Sequence, residues 1–158
     1  MKSVIIVYAD GGNARRVAEI LRKEIGGELL EIKTVKPYTG DYNTVVDQGK
    51  HEVDNAFEPE IVPLQIPIEE YDTILLGTPV WWYTFAPAIK TLLSSQNWEG
   101  KTVFPFATNA GWLGQTFEDI TNACSGAAVQ PGLDIRFDTD QPLTSKKTIV
   151  EWGKDIGC

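Results

Sequence analysis

The sequence predicts an α/β fold in which a parallel sheet carries helices on both faces. Several runs of apolar residues, such as Val4–Tyr8, are unbroken by polar residues, which is typical of strands buried on both faces of a parallel sheet. These runs alternate with segments in which apolar residues recur three and four positions apart, as they do on the buried side of a helix. The 158 residues contain no break in composition and no repeat, so we expect one domain over residues 1–158.

The first quarter of the chain predicts two strands and one helix. Val4–Tyr8 is the first strand, and residues 10–13 form a turn that leads into a helix with Val17, Ala18, Leu21 and Ile25 on one side. Gly26-Gly27 ends this helix, because glycine readily adopts the backbone conformation that follows a helix C-terminus. Leu29–Ile32 is the second predicted strand.

Residues 36–70 carry the weakest pattern in the chain. One side of a possible helix there is formed by Val45, Val46, Gly49, Val53 and Phe57. Three prolines then follow at Pro59, Pro63 and Pro67. Proline lacks the backbone N–H that a central strand needs, so we expect an extended connection in this part.

The remainder of the chain predicts three strands and three helices. The strands are Thr73–Gly77, Thr102–Ala107 and one within residues 129–137. The first of the helices begins at Pro87, a residue suited to a first helical turn, and the second contains Phe117, Ile120 and Ala123. The terminal helix is capped by Thr144 or Ser145.

Charge and composition exclude several classes of function. The chain has 14 Lys and Arg against 22 Asp and Glu, a net charge of -8, which disfavours binding to nucleic acid or to an anionic membrane. No apolar stretch approaches the roughly 20 residues of a membrane span. Two cysteines and one histidine form neither a disulfide framework nor a cluster with metal-ligand spacing. We therefore expect a cytoplasmic protein without a metal site.

Three loops form the candidate site, because ligands of open parallel sheets bind beyond the carboxyl ends of the strands. The first loop places glycines at a helix N-terminus, where free N–H groups favour an anion. The second has three consecutive aromatic residues, and the third has an asparagine, a glycine and a tryptophan. The candidate cofactor-binding residues are Ala9, Asp10, Gly11, Gly12, Asn13, Ala14, Thr78, Pro79, Val80, Trp81, Trp82, Tyr83, Thr108, Asn109 and Gly111.

A flat aromatic ligand with a phosphate tail would use all three loops, and flavin mononucleotide (FMN) has that shape. The first loop lacks both G-x-G-x-x-G and G-x-x-x-x-G-K-[ST], so NAD and ATP are disfavoured. A flavin performs its own redox chemistry, so we predict no catalytic side chain. Each signal also has a structural explanation: a tight turn in the first loop, packing or a partner surface for the aromatic residues, and turn chemistry at Asn109 and Gly111.

The segment Gly77-Thr78-Pro79-Val80-Trp81-Trp82 fits the pattern G-x-P-[IV]-W-W, and in it the sequence resembles small bacterial flavodoxin-like proteins. Further matches are Tyr71-Asp72, Ala86-Pro87, Gly100-Lys101-Thr102 and residues 105–108. The resemblance implies a flavodoxin-like three-layer sandwich, with five parallel strands in the order 2-1-3-4-5. It also implies an FMN site and electron transfer to a redox partner protein or a small-molecule acceptor.

The phosphate loop departs from the pattern of that family, which is roughly S-x-T-G-N-T. The matching residues here run from Ala9 to Ala14 and contain no hydroxyl; only Gly12 and Asn13 are retained. Each lost hydrogen bond is worth about 1 kcal/mol, so we expect FMN to bind more weakly than is usual in the family. Two alternatives stay open: an NAD(P)H-dependent quinone or flavin reductase of the same fold, and a binding module without flavin.

Overall fold

A computed structural model describes residues 2–9 and 12–157 of the chain. Strands and helices alternate along these residues, as the sequence predicts. In chain order the elements are β1 (Ser3–Tyr8), α1 (Asn13–Ile25), β2 (Glu28–Ile32), α2 (Tyr42–Asp54), a 3-10 turn (Ile68–Glu70), β3 (Thr73–Trp81), β4 (Thr84–Phe85), α3 (Pro87–Ser95), β5 (Thr102–Asn109), α4 (Thr116–Ala123), β6 (Ala128–Val129), β7 (Leu133–Asp138), β8 (Gln141–Pro142) and α5 (Lys146–Gly157).

The five longer strands pair in parallel in the order β2-β1-β3-β5-β7. This confirms the predicted order 2-1-3-4-5. Within the described residues the sheet also gains three strands of two residues each, which the sequence analysis did not predict. β4 and β8 run antiparallel to the ends of β3 and β7, and β6 lies parallel to β5. Two residues are too few to show a hydrophobic period, so such strands leave no signal in a sequence.

Helices cover both faces of the sheet and give the predicted three layers. On one face, Ile5 and Val7 of β1 pack with the apolar sides of α1 and α5. On the other, Val4 and Ile6 pack with α3 and α4. Because successive side chains of a strand point to opposite faces, β1 contributes to both cores.

Two buried positions show how tightly these layers pack. A Cβ at Gly77 would overlap the ring of Phe106, so β3 needs a glycine where that ring crosses it. Burial among apolar residues raises the pKa of the Cys124 thiol to about 11. The thiol therefore stays neutral at ordinary pH and acts as a small apolar side chain.

Helix α2 lies in the segment with the weakest sequence pattern. It begins after Asp41, whose Oδ1 accepts a hydrogen bond of 2.8 Å from the backbone N–H of Thr44. This bond lowers the pKa of the Asp41 carboxyl, since it stabilises the charged form. Val45, Val46, Gly49 and Val53 fall within the helix, as predicted, while Phe57 lies beyond its end.

The last helix, α5, follows a serine cap. The Ser145 hydroxyl oxygen accepts the N–H of Thr148 at 3.2 Å, whereas Thr144 accepts the N–H of Arg136 in β7. Of the two predicted caps, Ser145 is therefore the one that serves the helix. None of the helices in the described part of the chain has the length and apolar character needed to cross a membrane.

Candidate functional site

A cavity of about 450 Å³ opens at the carboxyl edge of the sheet. Small-molecule sites commonly measure roughly 300–1,000 Å³, so this cavity is large enough for a cofactor. Its walls come from the start of α1, the ends of β3, β5 and β7, and one side of α2. The residues that line it are Asn13, Ala14, Tyr42, Val45, Val46, Gly49, Pro79, Val80, Trp81, Trp82, Thr108, Asn109, Ala110, Phe137 and Thr139.

A smaller cavity of about 220 Å³ adjoins the first. The two share the walls formed by Val80, Trp82, Asn109 and Ala110, and the smaller one is lined further by Tyr83 and Trp112. Tyr83 is 56% exposed and Trp112 66% exposed, which is unusual for large aromatic side chains. The site is therefore elongated, with the N-terminus of α1 at one end and exposed aromatic rings at the other.

The aromatic wall belongs to a tight hairpin between β3 and β4. Trp81 pairs with Thr84, which leaves Trp82 and Tyr83 as the two residues of the turn. Both have positive φ, 50° and 69° respectively. Such turns favour asparagine and glycine, and the left-handed conformation disfavours other residues by about 1–2 kcal/mol each. Strain of this kind persists only where neighbouring contacts hold the segment in place.

Three hydrogen bonds hold this hairpin. The Trp82 indole N–H donates to the carbonyl oxygen of Val46 in α2 at 3.0 Å. The backbone N–H of Gln115 donates to the Tyr83 carbonyl at 2.8 Å. The Thr84 hydroxyl donates to the Asp119 carboxylate at 2.6 Å. The turn is thus fixed to α2 on one side and to α4 and the loop before it on the other.

Gly114 brings that loop close to the turn. Its φ is +61°, and a Cβ at this position would overlap the backbone and Cβ of Tyr83. Only glycine combines this backbone conformation with this approach.

Trp81 occupies a more interior position than its neighbour. Its ring makes edge contacts with Tyr8 and Tyr38, at centroid distances of 6.0 and 5.0 Å. A Cβ at Gly49 would lie 3.1 Å from the Trp81 ring, so this glycine allows α2 to pack closely on it. One part of Trp81 lines the cavity while the remainder joins the hydrophobic core.

The other end of the cavity lies beside the N-terminus of α1. The helix starts after Gly12, which has a φ of 94° and provides no side-chain cap. The Asn13 side-chain amide donates to the Thr139 carbonyl at 2.8 Å, and the Arg16 guanidinium donates to the Asp140 carbonyl at 2.6 Å. These bonds tie the turn between β7 and β8 to α1.

The structure brings together most, but not all, of the residues predicted for the site. Asn13, Ala14, Pro79, Val80, Trp81, Trp82, Thr108 and Asn109 line the larger cavity, and Tyr83 lines the smaller one. Ala9, Gly12, Thr78 and Gly111 line neither. The predictions for Asp10 and Gly11 lie outside the described residues.

Two of the residues outside the cavities have local structural roles. The Thr78 hydroxyl donates to the Pro79 carbonyl and accepts a hydrogen bond from the Ala86 N–H. The second of these bonds connects β3 to the residue that follows β4, on the other side of the hairpin turn. The N–H of Gly111 donates to the side-chain oxygen of Asn109, whose amide in turn donates to Asp134. These hydrogen bonds correspond to the structural explanation given above for Asn109 and Gly111, which was turn chemistry.

Sequence reasoning missed two walls of the cavity. Four α2 residues, Tyr42, Val45, Val46 and Gly49, form one of them. The apolar side of this helix was visible in the sequence, but nothing indicated which element it covers. Phe137 and Thr139 form the other. Their signal is their position at the carboxyl end of the fifth strand, where the same rule about strand ends applies.

Among the described residues that line the larger cavity, the Tyr42 phenol is the only ionisable side chain. In the described part of the chain, no three His, Cys, Asp or Glu side chains gather in a way that could hold a metal ion. The chemistry that the site offers is therefore aromatic contact, neutral hydrogen bonding and the partial positive charge of a helix N-terminus.

Comparison with known proteins identifies the relatives of this chain. A family model described as Flavodoxin matches residues 2–154. No curated protein matches the sequence. A candidate flavoprotein from Bacteroides eggerthii is 26% identical, with a TM-score of 0.82 over 99% of this chain and 98% of that one.

Two structures of a flavoprotein from Lactobacillus acidophilus are also similar. The complex of that protein with FMN is 30% identical, with a TM-score of 0.74 over 88% of this chain and 95% of that one. Its apo form is 27% identical, with a TM-score of 0.63 over 87% and 93% of the two chains.

Proposed function

Since this chain belongs to the flavodoxin family, we propose that it binds FMN in the cavity at the carboxyl edge of the sheet and acts in electron transfer. The observation that carries the proposal is the arrangement of the two adjoining cavities, which join a helix N-terminus to an aromatic wall. This arrangement suits a molecule with a flat ring at one end and a phosphate at the other. The FMN complex of the Lactobacillus acidophilus flavoprotein supports the choice of ligand.

The residues divide between the two ends of the ligand. Trp82, Tyr83 and Trp112 would contact the ring, since they surround the smaller cavity. Asn13, Thr108 and Thr139 would contact the tail, since they line the larger cavity and not the smaller one. When bound, the flavin supplies the redox chemistry, and the protein positions it and adjusts its potential through these contacts.

The aromatic end is the end through which electrons would pass. Three partly exposed rings lie there, so a ring system held among them is accessible to a partner at the surface. The described residues that line the smaller cavity are Val80, Trp82, Tyr83, Asn109, Ala110 and Trp112, and none of them carries a carboxylate, an imidazole or an amine. We therefore propose an electron carrier, with a redox partner protein or a small molecule as the acceptor. Two cysteines without a disulfide framework favour the reducing cytoplasm as its location.

Flavin loading followed by reduction tests this function. The purified protein is titrated with FMN, and the loaded protein is then reduced chemically and mixed with a one-electron acceptor. A carrier takes up FMN and passes its electrons to the acceptor. We expect protein purified without added flavin to be partly or wholly empty, because the phosphate loop has lost its hydroxyls.

A second function, an NAD(P)H-dependent quinone or flavin reductase, is favoured by one observation. The exposed rings of Tyr83 and Trp112 extend the site beyond the larger cavity, and a second aromatic molecule could stack there. Adding NADH or NADPH to the FMN-loaded protein separates the two functions. With a carrier, the nicotinamide absorbance at 340 nm falls no faster than it does with free FMN. A reductase oxidises the nicotinamide, so the absorbance falls faster.

A further inference from the structure

We propose that the tail end of this site recognises neutral hydroxyl groups more than a phosphate, so that riboflavin and FMN bind with similar affinity. Riboflavin is FMN without its phosphate and keeps the same ring and ribityl chain. The inference rests on the proposed function and specifies the class of flavin that the site accepts.

The charge around the cavity does not favour a phosphate. Its described lining residues include no lysine and no arginine. Arg15 and Arg16 lie in the first turn of α1, but neither lines the cavity. The Arg16 guanidinium donates to the Asp140 carbonyl and lies 5.6 Å from the Phe137 ring centroid. Phosphate sites usually pair the anion with such a cation or with several hydroxyls. The described lining of this cavity supplies no such cation.

The first loop also lacks the side-chain hydroxyls that would donate to a phosphate. Positions 9, 11 and 14 carry Ala, Gly and Ala, where the family pattern has hydroxyl residues. One of the two N–H groups of the Asn13 side-chain amide donates to the Thr139 carbonyl, which leaves one for a ligand. The N-terminus of α1 still attracts an anion, but helix ends typically change anion affinity by less than about tenfold.

A neutral hydroxyl, that of Thr108, is available inside the cavity. Thr108 is 5% exposed, and its hydroxyl has no hydrogen-bond partner within residues 2–9 and 12–157. No fully buried polar side-chain atom of the described residues lacks a partner, so this oxygen must reach open space. Thr108 lines the larger cavity, which is therefore the space it reaches. A hydroxyl in such a position can both donate to and accept from a polyol chain.

A second hydroxyl lies at the end of the cavity nearest to α1. Thr139 lines the cavity, and its φ is 55°. Its backbone carbonyl accepts a hydrogen bond from the Asn13 side-chain amide. Its hydroxyl makes no hydrogen bond to another described residue. Thr108 and Thr139 thus offer neutral groups along the part of the site where a ribityl chain would lie.

Titration with three flavins tests the inference. FMN, riboflavin and lumiflavin (the ring without the ribityl chain) are titrated separately into the protein at pH 7, with flavin fluorescence as the readout. We expect the Kd values of FMN and riboflavin to differ by less than about tenfold, and lumiflavin to bind more weakly than both. FMN binding tenfold or more tighter than riboflavin would overturn the inference and leave the proposed function intact. Binding of neither would overturn both.

Substitution of the two threonines tests the same inference independently. Thr108→Val keeps the shape of the side chain and should weaken FMN and riboflavin by one common factor of about two- to tenfold. Thr139→Ala should do the same, while Thr139→Ser should retain the wild-type affinity. Loss of FMN affinity alone, with riboflavin unaffected, would show that these hydroxyls serve the phosphate and would overturn the inference.

A matched control guards against a general effect of losing a buried hydroxyl. Thr73 is 4% exposed and lies at the amino end of β3, at the opposite edge of the sheet. Thr73→Val should therefore leave the affinity for all three flavins unchanged. If it weakens them as much as Thr108→Val does, the effect of Thr108 is structural and the inference fails.

Discussion

Trp82 has two separable roles, as an aromatic wall and as a hydrogen-bond donor to α2. Trp82→Ala removes both and should weaken FMN by about tenfold or more. Trp82→Phe keeps a ring but loses the N–H that donates to Val46, so it should weaken FMN less. Trp81→Ala should also loosen FMN, with a larger loss of stability, because its ring packs on Tyr8 and Tyr38. Fluorescence titration and urea unfolding measure these effects; unchanged affinity in both alanine variants would place the wall elsewhere.

Gly114 offers a test of the strained turn with a close control. Gly114 and Gly100 both have positive φ, but only at Gly114 would a Cβ overlap the turn at Tyr83. Each alanine substitution costs about 1–2 kcal/mol for the positive φ. Any further decrease in the free energy of unfolding of Gly114→Ala then measures the overlap of its Cβ with Tyr83. We expect Gly114→Ala to lower both the free energy of unfolding and the affinity for FMN, and Gly100→Ala to lower only the former. Equal effects of the two substitutions on FMN would argue against a role for the turn.

The phosphate loop can be returned to the family pattern with Ala9→Ser, Gly11→Thr and Ala14→Thr. The three hydroxyls could each add about 1 kcal/mol to phosphate binding, so the triple variant should bind FMN at least about tenfold more tightly. Riboflavin, which has no phosphate, should gain nothing and serves as the control. Asp10→Ala should help independently if its carboxylate repels the phosphate. Nanomolar FMN affinity in the unmodified protein would show that the missing hydroxyls matter little.

Helix α2 is the element whose role in the site is most open to direct test. Its N-terminus depends on Asp41, and Tyr42, Val45 and Val46 in its first turns line the cavity. Asp41→Ala should fray this end, raise amide hydrogen exchange at residues 44–46 and weaken FMN, whereas Asp41→Asn keeps a capping oxygen and should do neither. Faster exchange without any change in FMN affinity would remove α2 from the site.

The same cap makes α2 sensitive to acid. The pKa of Asp41 is lower in the folded chain than the ordinary value of 3.8 for this carboxyl, so the capping bond stabilises the fold above that pH. Its contribution is lost as the pH falls through the lower, folded-state pKa.

The elements that the sequence predicts best are those with a long hydrophobic period. The strands around Ile5, Leu75 and Phe106 are buried on both faces, and their alternation with amphipathic helices is enough to predict the parallel sheet. The order of its strands followed from the resemblance to flavodoxin-like proteins and not from this pattern. The β3–β4 hairpin was not predicted, since its turn residues, Trp82 and Tyr83, carry no turn signal. The position of α2 could not be predicted either, because it depends on tertiary contacts such as the Trp81 ring on Gly49.

The net charge of the 158 residues, -8, bears on the choice of partner. Long-range attraction speeds the association of oppositely charged proteins, and salt screens it over about 8 Å at physiological ionic strength. Electron transfer from the reduced, FMN-loaded protein to a basic redox protein should therefore slow as salt is added. A neutral small-molecule acceptor provides the control and should show no such slowing. Rates to the basic protein that do not depend on ionic strength would rule out an acidic docking surface.

Binding of FMN is the claim on which the rest of this account depends, and titration of the unmodified protein tests it most directly. FMN is held at a fixed concentration while flavin-free protein is added, and the flavin fluorescence and visible absorbance are followed. The account predicts a saturable change at one FMN per chain, with a shifted flavin spectrum as the ring leaves water for the aromatic wall of Trp82, Tyr83 and Trp112. A flavin spectrum that remains that of free FMN at saturating protein would contradict it and indicate a flavin-free binding module.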